Sequence, residues 1–200
     1  VLSGRDAERL AAVQQAAAAC GVPCAIVTAD LARSTGAAEL LAELARQGLT
    51  IDVLVNNAGA TTYGRFQDLP PADEVGLTTL NAVSPLALAR GLLPGMLDRG
   101  FGRVLNMASV AGLMPIPFSA TYAATKSFLV NLSESLYWEL RDSPVVVSAL
   151  LPGVTDSPFW DLPALAQKVA PRRARFATPR QVAEAGLELL LGDEPMRIVG

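Results

Sequence analysis

Short apolar runs alternate with segments of helical periodicity along the whole chain, and this alternation limits the folds that the sequence can adopt. The apolar runs cover residues 24–28, 51–55, 103–107 and 145–151. Their continuous apolar character is typical of strands that are buried on both faces. An alternating order of strands and helices predicts a parallel sheet with helices on both faces. We therefore predict an α/β fold, a three-layer doubly wound parallel sheet.

The segments between these runs carry helix start and stop signals. Asp6 and Ser34 can cap the first two helices, and Gly21 and Gly48 can end them. The predicted helices cover residues 6–21, 34–48, 71–100, 120–141 and 179–191. In open α/β sheets ligands bind beyond the carboxyl ends of the strands, so the residues that follow each strand are the candidates for a site.

The composition fits one globular domain. The chain has 200 residues, of which 51% are hydrophobic and 18% are charged, so there is enough apolar material for a large core. A net charge of −3 without a long basic run argues against nucleic-acid binding, because phosphate contacts need clustered Lys and Arg. No apolar stretch reaches the length of a bilayer span, and the first residues do not resemble a signal peptide. We expect a cytoplasmic protein with no membrane span and no nucleic-acid partner.

The chain contains no histidine, which removes histidine general bases, imidazole metal sites and Ser-His-Asp triads. Cys20 and Cys24 are separated by three residues, a spacing that fits neither a redox pair nor a zinc site. We interpret both as small interior residues and expect no metal site. The chemistry must therefore rest on other side chains.

Tyr122 and Lys126 carry the strongest indication of chemistry. Four residues apart on a predicted helix, they lie on one face about 6 Å apart, where an ammonium can favour the ionised phenol. Such a pair makes a proton donor. The chain has three tyrosines and two lysines, so this spacing is rarely met by chance. The alternative is simple packing, with the tyrosine ring in the core and the lysine extending past it to solvent.

Other polar and small residues follow the predicted strands in a fixed order. They are Asp30-Leu31, Asn56-Asn57-Ala58-Gly59, Asn106, Ser109 and Pro152-Gly153-Val154-Thr155, with Asn81 in the long helix. Together with Tyr122 and Lys126, this order resembles the short-chain dehydrogenase/reductase family over essentially the whole chain. The resemblance implies a single Rossmann-type NAD(P)-binding oxidoreductase domain over residues 1–200.

The resemblance also implies a set of catalytic residues. Tyr122 would give its proton to a carbonyl oxygen as hydride arrives from the nicotinamide, while Ser109 hydrogen-bonds the same oxygen. Lys126 would lower the tyrosine pKa and hold the nicotinamide ribose. Asn81, at a kink made by Pro85, would position a water that returns the proton through Lys126. The alternative for Asn81 is an asparagine in the helix interior that bonds to backbone.

The small residues Asn57, Ala58 and Gly59 let the backbone approach a flat ligand closely. By resemblance they lie beneath the adenosine half of the cofactor, although the same residues also suit a simple turn. Asn56 is expected to tie neighbouring strands together by hydrogen bonds. We therefore interpret Asn56 as structural.

Arg5 follows the first predicted strand, and no acidic residue ends that strand to hold a ribose 2′-hydroxyl. An arginine there favours a 2′-phosphate, so we predict NADP(H) in preference to NAD(H), with a solvated surface arginine as the alternative. Asp30 can accept a hydrogen bond from the adenine amine, beside Leu31, or can cap a helix. The segment that would hold the nicotinamide carboxamide is Pro152, Gly153, Val154 and Thr155.

Apolar residues flank the catalytic residues on both sides in the sequence. Met114 and Phe118 precede Tyr122, and Phe159 and Trp160 follow the last long strand in a segment with the composition of a lid. With Ser109, these residues are the candidates for substrate binding. They predict a lipophilic carbonyl substrate, such as a 3-oxoacyl or steroid-like compound, with ordinary packing or subunit contact as the alternative.

The glycine-rich phosphate loop of the family is not found in the chain. We expect the chain to be a segment of a longer protein, truncated at its N-terminus and also at its C-terminus. The alternative is a degenerate product that binds cofactor poorly. Without the first strand and helix of the family, the sheet should expose an apolar seam.

The sequence therefore predicts an NADP-dependent oxidoreductase that interconverts a ketone and a secondary alcohol. The resemblance implies a homodimer or homotetramer. One alternative is an NAD-dependent alcohol dehydrogenase, and Arg5 argues against it. Another is a catalytically silent cofactor sensor or scaffold on the same fold, and the retained Ser109, Tyr122 and Lys126 argue against that.

Overall fold

The computed structural model of the protein describes residues 1–157 and 176–200. Its strands are β1 (Leu2–Gly4), β2 (Ile26–Thr28), β3 (Val53–Asn56), β4 (Gly102–Met107), β5 (Val145–Pro152) and β6 (Met196–Val199). Its helices are α1 (Ala7–Ala19), α2 (Gly36–Arg46), α3 (Pro71–Thr78), α4 (Ser84–Arg99), α5 (Ala120–Glu139) and α6 (Pro179–Leu191). Two short 3₁₀ turns (Phe66–Asp68 and Val110–Leu113) and one π turn (Thr79–Val83) connect them. None of these described helices is long and apolar enough to cross a membrane.

The strands pair in parallel, as predicted. β1 pairs with β2, while β3, β4, β5 and β6 form a four-stranded sheet in that order. The register places Asn56 of β3 opposite Asn106 of β4, so the carboxyl ends of these two strands meet at one edge. Ser109, Tyr122 and Lys126, which the sequence singled out, come together at this edge.

Helices cover both faces of the four-stranded sheet and give it three layers. Val104 of β4 packs in one core with Met96 of α4. The next residue, Leu105, points to the other face and packs with Leu189 of α6. The predicted doubly wound α/β architecture is therefore confirmed.

The outer edge of β3 is an exception to the burial predicted for the strands. Val53 and Val55 are 42% and 48% exposed, and β3 has no second strand partner among the described residues. The expectation that this strand is buried on both faces is wrong. This edge strand therefore exposes two apolar side chains.

Of the two predicted helix caps, one is confirmed and the other is wrong. Asp6 caps α1, and its carboxylate accepts the N–H of Arg9 at 3.0 Å, as predicted. Ser34 does not cap α2, which begins at Gly36. The backbone packs so closely there that a Cβ on Gly36 would lie 2.0 Å from the carbonyl oxygen of Asp30.

The two cysteines do not both lie in the interior. Cys20 is exposed at the end of α1, and Cys24 is half-buried in the segment that follows. The interpretation of Cys20 as an interior residue is wrong, because α1 itself has no buried residue.

The long helix predicted over residues 71–100 is interrupted by a π turn. The N–H of Ser84 donates to the carbonyl oxygen of Thr79, five residues earlier. Pro85 has no N–H to donate to the carbonyl of Asn81, which explains why the regular ladder stops here. The predicted kink near Pro85 therefore takes the form of a π turn with Asn81 at its centre.

Candidate active site

Tyr122 and Lys126 lie one turn apart on the same face of α5, as predicted. The Lys126 ammonium lies 5.8 Å from the centre of the Tyr122 ring. Lys126 is only 5% exposed, and its Nζ donates a 2.6 Å hydrogen bond to the carbonyl oxygen of Met107 at the end of β4. The alternative of a lysine that extends past the ring to solvent is therefore wrong.

The burial of Lys126 changes its titration. Removal from water disfavours the ammonium and lowers the pKa of Lys126 from 10.5 to about 8. The bond to Met107 uses one of the three N–H donors of the ammonium. Gly59 faces the same group, and a Cβ there would lie 3.6 Å from the Lys126 Nζ. A buried cation next to a bare backbone segment is suited to hold the hydroxyls of a bound ribose.

Ser109 stands between the ends of β4 and β5. Its backbone is extended, and its Oγ caps the following 3₁₀ turn by accepting the N–H of Ala111 at 3.1 Å. The same hydroxyl donates to the carbonyl oxygen of Pro152 at 3.4 Å, and it acts on the nearby phenol of Tyr122 to lower the pKa of that phenol. The structure therefore brings together Ser109, Tyr122 and Lys126, as predicted.

Gly112 allows the turn after Ser109 to pack directly against the backbone of α5. A Cβ at Gly112 would lie 2.7 Å from the carbonyl carbon of Lys126 and 2.8 Å from its oxygen. The 3₁₀ turn that begins after Ser109 therefore rests directly on the backbone of α5. The sequence reasoning missed this residue, although a glycine three residues after Ser109 was the available signal.

The pKa of the Tyr122 phenol is raised in the protein alone. Burial raises the pKa of Tyr122 above 10.0, and the hydrogen bond with Ser109 lowers it in part. Lys126 is not among the causes of this shift, and the predicted lowering of the pKa by Lys126 together with the bound cofactor stays a prediction. At neutral pH the phenol is protonated.

Asn81 is fully buried and holds the loop that follows β3. Its Nδ2 donates to the carbonyl oxygen of Ala60 at 3.0 Å, and its Oδ1 accepts the N–H of Ala60 at 3.1 Å. The Nδ2 also donates to Thr125 Oγ1 at 3.2 Å, which links the loop to α5. The asparagine thus bonds to the backbone of another segment rather than of its own helix. Its part in positioning a water stays a prediction.

At the end of β3, one residue is hydrogen-bonded to the neighbouring strand, and the residues that follow it are exposed. Asn56 donates to Asn106 Oδ1 at 2.8 Å and ties β3 to β4, which confirms its structural interpretation. Asn57, Ala58 and Gly59 are exposed. Asn57 and Gly59 line a cavity beside Tyr122, whereas Ala58 is not among the described residues that line it.

A cavity of about 730 Å³ opens beside Tyr122. The predicted residues that line it are Asn57, Gly59, Ser109, Met114, Tyr122, Lys126, Pro152, Gly153, Val154 and Thr155. Most of its other walls are apolar, and they include Val55, Leu105, Met107, Val110, Ile116, Val182 and Leu187. The sequence reasoning missed the wall from α6, because no polar residue marks that helix as part of a site.

Comparison with known proteins identifies the family. The family model for short chain dehydrogenases matches residues 1–163. The chain belongs to the short-chain dehydrogenase family. This is a family of oxidoreductases, and both the fold and the arrangement of Ser109, Tyr122 and Lys126 agree with the match.

Individual relatives support the same conclusion. The chain is 34% identical over 135 residues to the ketoacyl reductase HetN of Nostoc, a match over 68% of this chain and 46% of that protein. It is 31% identical over 192 residues to the acetoacetyl-CoA reductase of Allochromatium vinosum, a match over 94% of this chain and 77% of that one. A solved short-chain dehydrogenase from Sphingobium yanoikuyae, in complex with NADPH, matches with a TM-score of 0.88 and 30% identity, covering 98% of this chain and 76% of that one.

The candidate substrate residues are only partly placed at the cavity. Met114 lines it, and Phe159 and Trp160 lie outside the described residues. Phe118 is half exposed and is not among the described lining residues. Its backbone has φ +68°, and its ring lies 5.9 Å from the ring of Tyr63, which does line the cavity. Tyr63 is thus a wall residue that the sequence reasoning missed.

The residues predicted for the adenosine half lie away from this cavity. Arg5 is exposed directly after β1. Asp30 follows β2, and its Oδ1 accepts the N–H of Ala32 at 3.0 Å. The carbonyl oxygen of Leu31 accepts a 2.7 Å hydrogen bond from Ser84. The roles of Arg5, Asp30 and Leu31 toward a cofactor stay predictions.

Proposed function

We propose that the protein is an NADP(H)-dependent oxidoreductase that interconverts a ketone and a secondary alcohol. One observation carries the proposal: the Tyr122 phenol lines a largely apolar cavity together with Ser109 and the buried Lys126. This corner can give a proton to a carbonyl oxygen that lies against apolar walls.

Each residue of the site has a separate role in the reduction. The bound cofactor supplies the hydride. Tyr122 donates its phenolic proton to the substrate oxygen, and Ser109 hydrogen-bonds that oxygen as negative charge develops on it. Lys126 stabilises the phenolate that remains and binds the nicotinamide ribose. A pKa of about 8 also lets Lys126 exchange a proton near neutral pH, which suits it to restore the proton on Tyr122.

Two observations support NADP(H) over NAD(H). Arg5 is exposed after β1, where its guanidinium can pair with a 2′-phosphate. The nearest acid, Asp6, is engaged at the start of α1 with Arg9, through a hydrogen bond of 3.0 Å and an ion pair of 3.2 Å. The S. yanoikuyae relative, which was solved with NADPH, is consistent with this preference.

The walls of the cavity support a lipophilic carbonyl substrate. Tyr63, Met114, Ile116 and Val154 present carbon surface near Tyr122. Two relatives are named as a ketoacyl reductase and an acetoacetyl-CoA reductase, so a 3-oxoacyl thioester is the first candidate and a steroid-like ketone the second.

The expected homodimer or homotetramer stays a prediction, as does the cytoplasmic location. Exposed apolar side chains on α4 and α5 are consistent with pairing of subunits, among them Leu86, Leu97, Phe128 and Trp138.

The proposal is tested by NADPH consumption in the presence of 3-oxoacyl thioesters and bulky ketones, with product analysis and NADH in parallel. We expect turnover with NADPH and formation of the secondary alcohol. The variant Arg5→Ala should weaken NADPH binding by about tenfold and leave NADH binding unchanged, because one charge-assisted contact is lost. Cofactor binding without turnover of any carbonyl would favour the silent sensor, and no binding at all would overturn both.

A further inference from the structure

The first turn of α5, which carries Tyr122, lacks an anchor of its own. Ser119 occupies the capping position, but its side chain makes no capping hydrogen bond. Its hydroxyl donates instead to the carbonyl oxygen of Thr62 at 3.1 Å. The first turn also contains no acidic residue to offset the partial positive charge at the helix N-terminus. A negatively charged residue from another element would therefore stabilise this turn.

Glu74 of α3 provides such an anchor. Its Oε2 accepts a hydrogen bond from the hydroxyl of Thr121, the second residue of α5, 47 residues away in sequence. The carboxylate therefore approaches the positive end of α5, where a negative charge is favourable. Thr121 directly precedes Tyr122, so a contact that fixes Thr121 also fixes the position of the phenol.

The surroundings of Glu74 indicate a role beyond surface charge. Its Oε1 is buried and has no hydrogen-bond partner in the part of the chain that the structure describes. A buried carboxylate oxygen without a partner costs stability, so a role in function is one explanation for it. Within α3, the hydroxyl of Thr78 also donates to the backbone carbonyl oxygen of Glu74 at 2.9 Å.

We propose that Glu74 is a positioning residue that acts through Thr121 and holds the Tyr122 phenol against Ser109. The inference rests on the proposed function of Tyr122 as the proton donor. Without the bond from Thr121, the first turn of α5 can move, and the phenol can leave the reach of Ser109. A displacement of about 1 Å at a reacting group is enough to lower turnover by up to about a hundredfold.

The test compares kinetics of Glu74→Ala, Glu74→Gln and Thr121→Val. We expect Glu74→Ala and Thr121→Val each to lower kcat by about tenfold to a hundredfold, while the KM for NADPH changes little. Glu74→Gln should restore most of the kcat, because its amide oxygen still accepts the Thr121 hydroxyl. The double variant Glu74→Ala/Thr121→Val should lose no more than either single variant.

The matched control is Asp73→Ala, which removes an exposed acid from the same helix and should leave kcat unchanged. Wild-type kcat in Glu74→Ala would overturn the inference. So would a Glu74→Gln variant as impaired as Glu74→Ala, because the charge rather than the hydrogen bond would then be responsible.

A second readout separates this inference from the proposed function. Hydrogen exchange of the backbone amides should quicken in Glu74→Ala in the first turn of α5 and not in the rest of the helix. If the wild-type protein reduces no ketone, the proposed function fails, and local exchange still decides whether Glu74 positions Tyr122. Unchanged exchange, or an equal increase throughout the protein, would overturn the inference.

Discussion

The ammonium of Lys126 donates a 2.6 Å hydrogen bond to the carbonyl oxygen of Met107, so α5 is fastened to the end of β4 by a buried cation. Burial makes this cation unfavourable and lowers the pKa of Lys126 to about 8. The unfolded chain then binds more protons than the folded protein between about pH 8 and the ordinary value of 10.5, and stability rises with pH through this interval.

The first prediction concerns this pH dependence. The stability of the wild-type protein relative to Lys126→Met should rise by about 2 kcal/mol between about pH 7 and about pH 9.5, because the buried ammonium loses its proton. Urea unfolding of both proteins across this range measures the difference. Parallel stability curves for the two proteins would show that Lys126 titrates normally.

The second prediction concerns the contact of Gly112 with α5. Gly112→Ala should destabilise the protein by about 1–3 kcal/mol, because the new methyl group overlaps the Lys126 backbone and pushes the Ser109 turn outward. The same shift should lower kcat. The matched control is Gly76→Ala in α3, where a Cβ meets nothing within 4 Å and the substitution should stabilise the helix by about 0.5–1 kcal/mol. Equal effects of the two substitutions on stability would contradict the close approach.

The third prediction concerns the buried polar chain that joins β3, β4 and α5. Asn56 donates to Asn106 at 2.8 Å, and Asn106 donates to Ser133 at 2.8 Å. Asn106→Ala removes one hydrogen bond from each of two buried side chains, of which Ser133 keeps its bond to the carbonyl oxygen of Leu129, and should cost about 1–3 kcal/mol in the free energy of unfolding. Asn131→Ala, an exposed change on α5, should cost less than about 0.5 kcal/mol. A small loss in Asn106→Ala would mean that the chain of bonds contributes little to the fold.

Much of the sheet and the central pair of the site could be predicted from the sequence. Val145, Val146 and Val147 form a continuous apolar run, and such runs have few uses in a domain of this size other than as buried strands. Tyr122 and Lys126 share a helix face because of the helical repeat alone. Local chemistry also placed the cap at Asp6, whose carboxylate needs only the next turn of chain.

Other parts of the site depend on contacts between distant segments. The carbonyl of Met107 has no side-chain signature, so nothing in the sequence marks it as the partner of Lys126. The pKa of Tyr122 depends on how much protein surrounds the phenol, and in the protein alone burial raises it. Phe118 and Tyr63 lie on two adjoining loops, and only the packing of these loops decides which ring lines the cavity.

The most direct test of the account compares the wild-type protein, in its longest natural form, with Tyr122→Phe. The measurement is NADPH consumption with a ketone that the wild type reduces, beside the NADPH dissociation constant of each protein. We expect Tyr122→Phe to lower kcat by at least about a hundredfold, because the proton donor is lost, and to bind NADPH within about threefold of the wild type. A variant that keeps turnover within about tenfold would contradict the role of Tyr122 as the general acid.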